Sequence, residues 1–190
     1  MTAAAGPLVV DARAVLTAWQ APSPAQDALR ARYLAFLDEH PDADRRALRL
    51  GHLTASTVVL DHSHERVLLT LHPGAGRWFQ LGGHVETDDA TMAAAALREA
   101  TEESGISGLV LHPTPIGLDW HAVRCRTTAG VPEPSSHLDV EYVAVAPPGA
   151  EHVRSHESLD LAWFGLDALP DGADEVVRSL VRRVRELGLA

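Results

Sequence analysis

The stretch from Met92 to Ser104 constrains this chain more than any other. Its four consecutive alanines and its Leu, Arg and Glu residues favour a helix, and Gly105 is suited to end it. Strand signals lie on both sides. Before it, the β-branched run Thr54 to Leu60, a polar turn at Asp61 to Glu65 and the run Arg66 to Leu71 read as a hairpin. Gly74 to Gly76 makes a further turn, Trp78 to Leu81 a short strand, and Gly82-Gly83 is expected to break it. After the helix come strand candidates at Leu109 to Leu111, Gly117 to Arg126, Val140 to Ala146 and Leu161 to Phe164, with a proline-rich loop expected from Thr127 to His137. A last helix carries Val176, Val177, Leu180, Val181, Val184 and Leu187 on one face. Strands before and after a central helix, with another helix at the end, predict an α/β fold in which a mixed sheet lies between helices.

Residues 1–50 read as a helical appendage and 51–190 as the main domain. Ala14, Val15, Ala18 and Trp19 recur at helical spacing until Pro22 and Pro24; Ser23 then caps a second helix that ends near His40-Pro41. The appendage contains no chemical constellation, and packing against the main domain or a partner subunit is the reading its apolar faces support.

Composition excludes several classes. The longest apolar runs fall far short of the roughly 20 residues that span a bilayer, so no membrane span is expected. No basic residue precedes the apolar N-terminal stretch, which argues against a secretory signal and for the cytoplasm. A net charge of −10 argues against binding a nucleic acid polymer, which needs clustered positive charge. The basic residues are all arginine, so no lysine nucleophile or phosphate-loop lysine exists. Cys125 is the only cysteine; this leaves no disulfide framework and no cysteine-based zinc site, and packing is its ordinary role.

The chemistry concentrates in GGHVETDDATMAAAALREATEESGI, Gly82 to Ile106. Glu99, Glu102 and Glu103 stand at i, i+3 and i+4, on one side of a helix. A solvated acidic face would look the same. However, three anions this close repel, and hard oxygen donors at that spacing suit magnesium, while a glycine pair lets backbone carbonyls approach a metal. Arg98, four residues before Glu102, can orient a carboxylate and offset part of the repulsion.

This segment resembles the Nudix box, in which a glycine, five residues, a glutamate and seven residues precede Arg-Glu, an apolar residue, any residue, Glu-Glu, any residue, Gly and an apolar residue. Arg98, Glu99, Ala100, Glu102, Glu103, Gly105 and Ile106 fit the second half. Counted from Gly83, the pattern's glutamate falls on Asp89, and eight residues rather than seven separate it from Arg98; a later helix start would absorb the extra one. The box covers about an eighth of the chain. Looser likenesses lie in Arg77-Trp78-Phe79-Gln80-Leu81, in Trp163-Phe164 and in Asp167-Ala168-Leu169-Pro170.

The resemblance implies an α/β/α sandwich that hydrolyses a diphosphate linkage in a nucleoside diphosphate derivative, a small-molecule substrate. It implies Mg²⁺, with Mn²⁺ as the other candidate ion, on Glu99, Glu102, Glu103 and the Gly83 carbonyl. Arg98 would assist. Glu103, Glu102 or an acid outside the box would take the proton of the attacking water; Glu133, Glu141, Glu157 and Asp160 are candidates, with Glu157 ranked first. His84, beside the glycines, and Arg77 are candidate substrate contacts, and a homodimer is common in the family. The alternatives are a non-catalytic sensor of nucleotide or ADP-ribose and, through Cys125, a diphosphate isomerase. His62 with His64 could form a zinc site, though a hairpin turn explains them equally. His121, His137 and Asp139 resemble polar positions of some subfamilies, and Trp78, Trp120 and Trp163 could stack on a base or fill a core.

Overall fold

The computed structural model describes residues 5–126, 131–156 and 158–190. Two helices, α1 (Pro7–Ala18) and α2 (Pro24–Glu39), precede strands β1 (His52–Leu60), β2 (Arg66–His72), β3 (Arg77–Phe79) and β4 (Leu81–His84). Helix α3 (Met92–Ser104) follows, then β5 (Val110–Leu111), β6 (Gly117–Arg126), β7 (Pro132–Val145), β8 (Asp160–Gly165) and α4 (Glu175–Glu186). Among the described residues the eight strands form one mixed sheet.

Strand β1 lies at its centre and is buried along its whole length. It runs antiparallel to β2 and β4 and parallel to β7. A central strand covered on both faces needs two cores, and its period of two supplies them. Leu53 and Ala55 pack with Met92 and Ala95 of α3, and with Leu8, Leu16, Tyr33 and Leu37 of α1 and α2. Val58 and Leu60 face the other way, against Val177, Leu180, Val181 and Val184 of α4. The α4 stripe is therefore the one its spacing predicts, except that Leu187 falls past the helix end and is exposed. The arrangement is the expected α/β/α sandwich with a helical N-terminal part.

That N-terminal part is bonded into the sheet. Ser23 caps α2 by accepting from the Gln26 N–H. Tyr33 donates its hydroxyl toward the carbonyls of Asp119 and Asp139, and Trp19 Nε1 donates to the Pro115 carbonyl at 2.7 Å. Gln26 exchanges two hydrogen bonds with the Leu118 backbone. The apolar faces of α1 and α2 thus pack on the main domain of the same chain.

Two local expectations fail. The glycine pair does not break a strand: β3 ends at Phe79, and β4 runs through Gly82 and Gly83 to His84, paired with β1. Gly82 is needed there because a side chain would collide, as described below. The proline-rich stretch is also not all loop. Residues 127–130 lie outside the described residues, but from Pro132 the chain is already strand, paired with β6. The pairing of β7 with β1 starts only at His52↔His137, so Pro132 and Pro134 lie where β7 has a free edge, which is where a sheet tolerates proline.

Candidate active site

Helix α3 begins at Met92, with Thr91 accepting from the Ala94 N–H and Gly105 at its C-cap. It packs on β1 and β4 through its alanines, and Thr57 Oγ1 donates to the Ala96 carbonyl at 3.1 Å. Small residues on this face let the helix approach closely, which brings its acidic side against the glycine pair. Glu103 Oε2 accepts from the Gly82 N–H at 3.0 Å. A Cβ on Gly83 would lie 2.7 Å from a Glu99 carboxylate oxygen, and one on Gly82 would lie 2.5 Å from the Ser56 Cα. Gly82 is required by the close approach of the neighbouring strand backbone, and Gly83 lets the Glu99 carboxylate lie directly over the strand.

Arg98 organises the acids. Its Nε and Nη2 bind Asp89 at 3.0 and 2.9 Å, and Nη2 also donates to the His84 carbonyl at 3.0 Å. Its Nη1 reaches Glu99 at 3.0 Å and Glu102 at 3.1 Å. The extra residue in the first half of the box is absorbed by a turn in which the Glu86 N–H donates to Asp89, so the shorter carboxylate still meets Arg98 by both oxygens. Burial raises the Asp89 pKa, but its bonds to Arg98 and to the Glu86 backbone outweigh this and leave it below the usual carboxylate range. The hydrogen bond to Asp89 is the main cause of the raised Arg98 pKa. One guanidinium thus serves three carboxylates and a backbone carbonyl. The donor set fits a hard divalent cation: carboxylate oxygens at helical spacing, one of them on Glu102 with a 60% exposed side chain, beside a backbone stripped of side chains.

The other face of the sheet is polar at the same end. By the strand period His52, Thr54 and Ser56 of β1 share a face with His137, Asp139 and Glu141 of β7. Asp139 is buried and accepts from Thr54 Oγ1 at 2.8 Å and Ser56 Oγ at 2.5 Å; burial nevertheless pushes its pKa up. Glu141, also buried, accepts from Arg183 Nη1 at 2.8 Å, yet burial and then Asp139 push it up to about 8. Beside them His52, His84 and His137 converge, with ring centroids 5.0–5.1 Å apart. Cys125 Sγ lies 3.5 Å from His137 Nε2 and 3.9 Å from His52 Nε2. Burial first, then nearby cationic groups, lowers His84 to about 4 and His137 to about 3, so these imidazoles are neutral.

The other expected residues fall elsewhere. Arg77 pairs with Asp174 at the N-cap of α4, at 2.9 Å. The His84 ring turns into the histidine cluster, and only its carbonyl meets Arg98. Glu157 lies outside the described residues. Glu133 pairs with Arg49, Glu141 with Arg183, and Asp160 accepts from the Leu161 N–H. His64 sits in the turn after β1 with φ 61° and bonds the Leu189 carbonyl through Nδ1. Trp78 packs edge-on to Phe164, and Trp120 packs edge-on to Tyr33 and Phe36, with Arg32 over its ring. Trp163 belongs to the core cluster around Val59 and Leu161. His52, Thr54 and Ser56 escaped the sequence reading, although the alternation in HLTAS is a signal that one face of β1 is polar at this end.

A mixed sheet between helices, with an acidic helix seated on a glycine-bearing strand, defines the class: an α/β/α sandwich with a carboxylate-bearing helix against its sheet. The chain belongs to the Nudix family, since the NUDIX domain model matches residues 51–184. Solved structures agree at the level of fold. A NUDIX family hydrolase from Clostridium perfringens is 24% identical, covering 72% of this chain and 97% of its own, with a TM-score of 0.53. The MutT protein from Methanosarcina mazei Go1 is 19% identical over 74% and 97% of the two chains, TM-score 0.55. For the E. coli dihydroneopterin triphosphate pyrophosphohydrolase the values are 19%, 73%, 96% and 0.54. No curated protein matches the chain.

Proposed function

We propose that this protein hydrolyses a diphosphate linkage in a nucleoside diphosphate derivative, with water attacking phosphorus. The observation that carries this reading is the presentation of Glu99, Glu102 and Glu103 by one helix onto the Gly82-Gly83 backbone, with Arg98 fixing two of the three. These carboxylates and the Gly83 carbonyl would hold Mg²⁺ or Mn²⁺, which when bound neutralises the diphosphate and lowers the pKa of a water. Arg98 is a positioning residue. It keeps Glu99 and Glu102 from splaying apart and ties α3 to the His84 carbonyl at the end of β4. Glu103, oriented by the Gly82 N–H, is the group we assign to receive the proton of the attacking water, since Glu133, Glu141 and Asp160 are engaged elsewhere.

The test is mononucleotide or phosphate release from a panel of nucleoside triphosphates, ADP-ribose, dinucleotides and nucleotide sugars, with Mg²⁺ and again after chelation. Turnover of a panel member that stops on chelation is expected. Binding across the panel without turnover would instead support the non-catalytic sensor and end this proposal.

Gly83→Ala gives a second check. The added methyl would intrude on the Glu99 carboxylate, whose flexible end can move away, so the fold should survive while the ligand geometry does not. The Mg²⁺ concentration for half-maximal activity is expected to rise about 10-fold or more, the scale on which disturbed ligand support weakens metal sites. An unchanged metal titration would remove Glu99 and Gly83 from the ligand set.

A further inference from the structure

We propose that His52, His84, His137 and Cys125 form a closed tetrahedral zinc site, separate from the carboxylates of α3 and on the opposite face of the sheet. One potential ligand atom from each residue lies within 4.8 Å of every other. Around a tetrahedral zinc ion, with Zn–N and Zn–S bonds of ordinary length, such atoms stand roughly 3.3–3.7 Å apart. Small side-chain rotations therefore close the cluster, and the Cys125–His137 contact at 3.5 Å already has the bound separation.

The chemistry of the set is selective. Three imidazoles and one thiolate suit a borderline ion such as zinc and are poor partners for magnesium, which prefers oxygen. A second observation points to a missing partner. His84 Nε2 is buried and has no hydrogen bond among the described residues, although buried polar atoms are nearly always satisfied. Ser135 Oγ lies 3.5 Å from His52 Nδ1, placed to steady the ring from behind, as groups behind a metal-bound histidine commonly do. Four protein ligands leave no open position, which marks a structural rather than a catalytic zinc.

The ligands come from four strands: β1, β4, β6 and β7. A bound ion would pin the outer end of the β6–β7 hairpin, which extends past the β1 pairing, to the centre of the sheet. It would also fix His84, whose carbonyl is bonded to Arg98, so the zinc would steady the strand on which α3 rests. A single cysteine excludes an all-cysteine site, but strand register gives Cys125 three histidine companions.

The full-length chain, produced in zinc-supplemented medium and dialysed against metal-free buffer, is expected to retain one equivalent of zinc by elemental analysis. After zinc is exchanged for cobalt, tetrahedral d–d absorption and a thiolate-to-cobalt charge-transfer band are expected. In Cys125→Ser the band should vanish and zinc retention fall, whereas Glu103→Gln should keep both. The wild-type spectrum is decisive even if a variant folds poorly. A wild-type chain that holds no stoichiometric zinc, cobalt absorption without the thiolate band, or zinc lost from Glu103→Gln but kept by Cys125→Ser would each overturn the proposal.

Discussion

Glu103→Gln and Glu102→Gln are each expected to lower kcat by at least about 10²-fold while leaving the melting temperature nearly unchanged. Disturbing groups one step removed from a metal ligand already costs about 10–100-fold, and these changes delete a charge from the ligand set itself. Glutamine is close in shape, and at position 103 its carbonyl oxygen can still accept from the Gly82 N–H, so the contact between helix and strand survives. Glu102 has a mostly exposed side chain bonded to Arg98, so its replacement by glutamine disturbs little packing. The separation of activity from stability is the informative part. It is read by steady-state kinetics beside thermal unfolding, and a fall in kcat of less than about tenfold in both variants would show that the α3 carboxylates do not carry the reaction.

Glu141 is expected to make the protein less stable as pH rises from about 5 to about 8. Burial, and then the neighbouring Asp139, pushes its folded pKa up to about 8, with Arg183 opposing and Asp119 adding to the rise. In the unfolded chain the group titrates near 4.3. The folded state therefore binds the extra proton between these values. The stabilisation from that proton is fully present below the unfolded pKa and is lost as pH rises through the folded one. The slope is on the order of 1.4 kcal/mol per pH unit inside the window. His52, His84 and His137, lowered mainly by burial, act in the opposite sense, costing stability as pH falls through the range below their ordinary pKa. The comparison is therefore between wild type and Glu141→Gln by chemical denaturation at several pH values. The difference between the two curves should slope across the window, and parallel curves would mean that Glu141 stays ionised against Arg183 throughout.

Much of the fold was legible because its signals are local. Four alanines, a capping position and Gly105 specify α3 wherever it packs, and the stripe from Val177 to Val184 specifies the buried side of α4. The hairpin of β1 and β2 follows from a β-branched run, a second apolar run and a turn in which Asp61 accepts from the Glu65 and Arg66 N–H groups. What misled were residues whose usual meaning depends on surroundings. Gly82 and Gly83 read as a strand break, yet they lie in a strand paired with β1, where Ser56 and Glu99 approach the backbone closely. Pro132 and Pro134 read as loop, yet they sit on a free stretch of strand edge.

The same division runs through the two sites. The sequence alone determined that Glu99, Glu102 and Glu103 share a side, because residues three and four apart are neighbours on any helix, and that Arg98 is within reach of Glu102. It also determined which classes of chemistry were absent, since no lysine and only one cysteine exist. Only the tertiary structure decided that Asp89 meets Arg98 despite the altered spacing, that Arg77 is drawn to Asp174, and that His52 lies opposite His137. Those contacts depend on where turns close and on how strands align, and a slip of one residue would turn His52 or His137 to the opposite face. Helical neighbours are set by a short, fixed repeat, whereas a cluster gathered from β1, β4, β6 and β7 is set by strand order and register, which no single segment encodes.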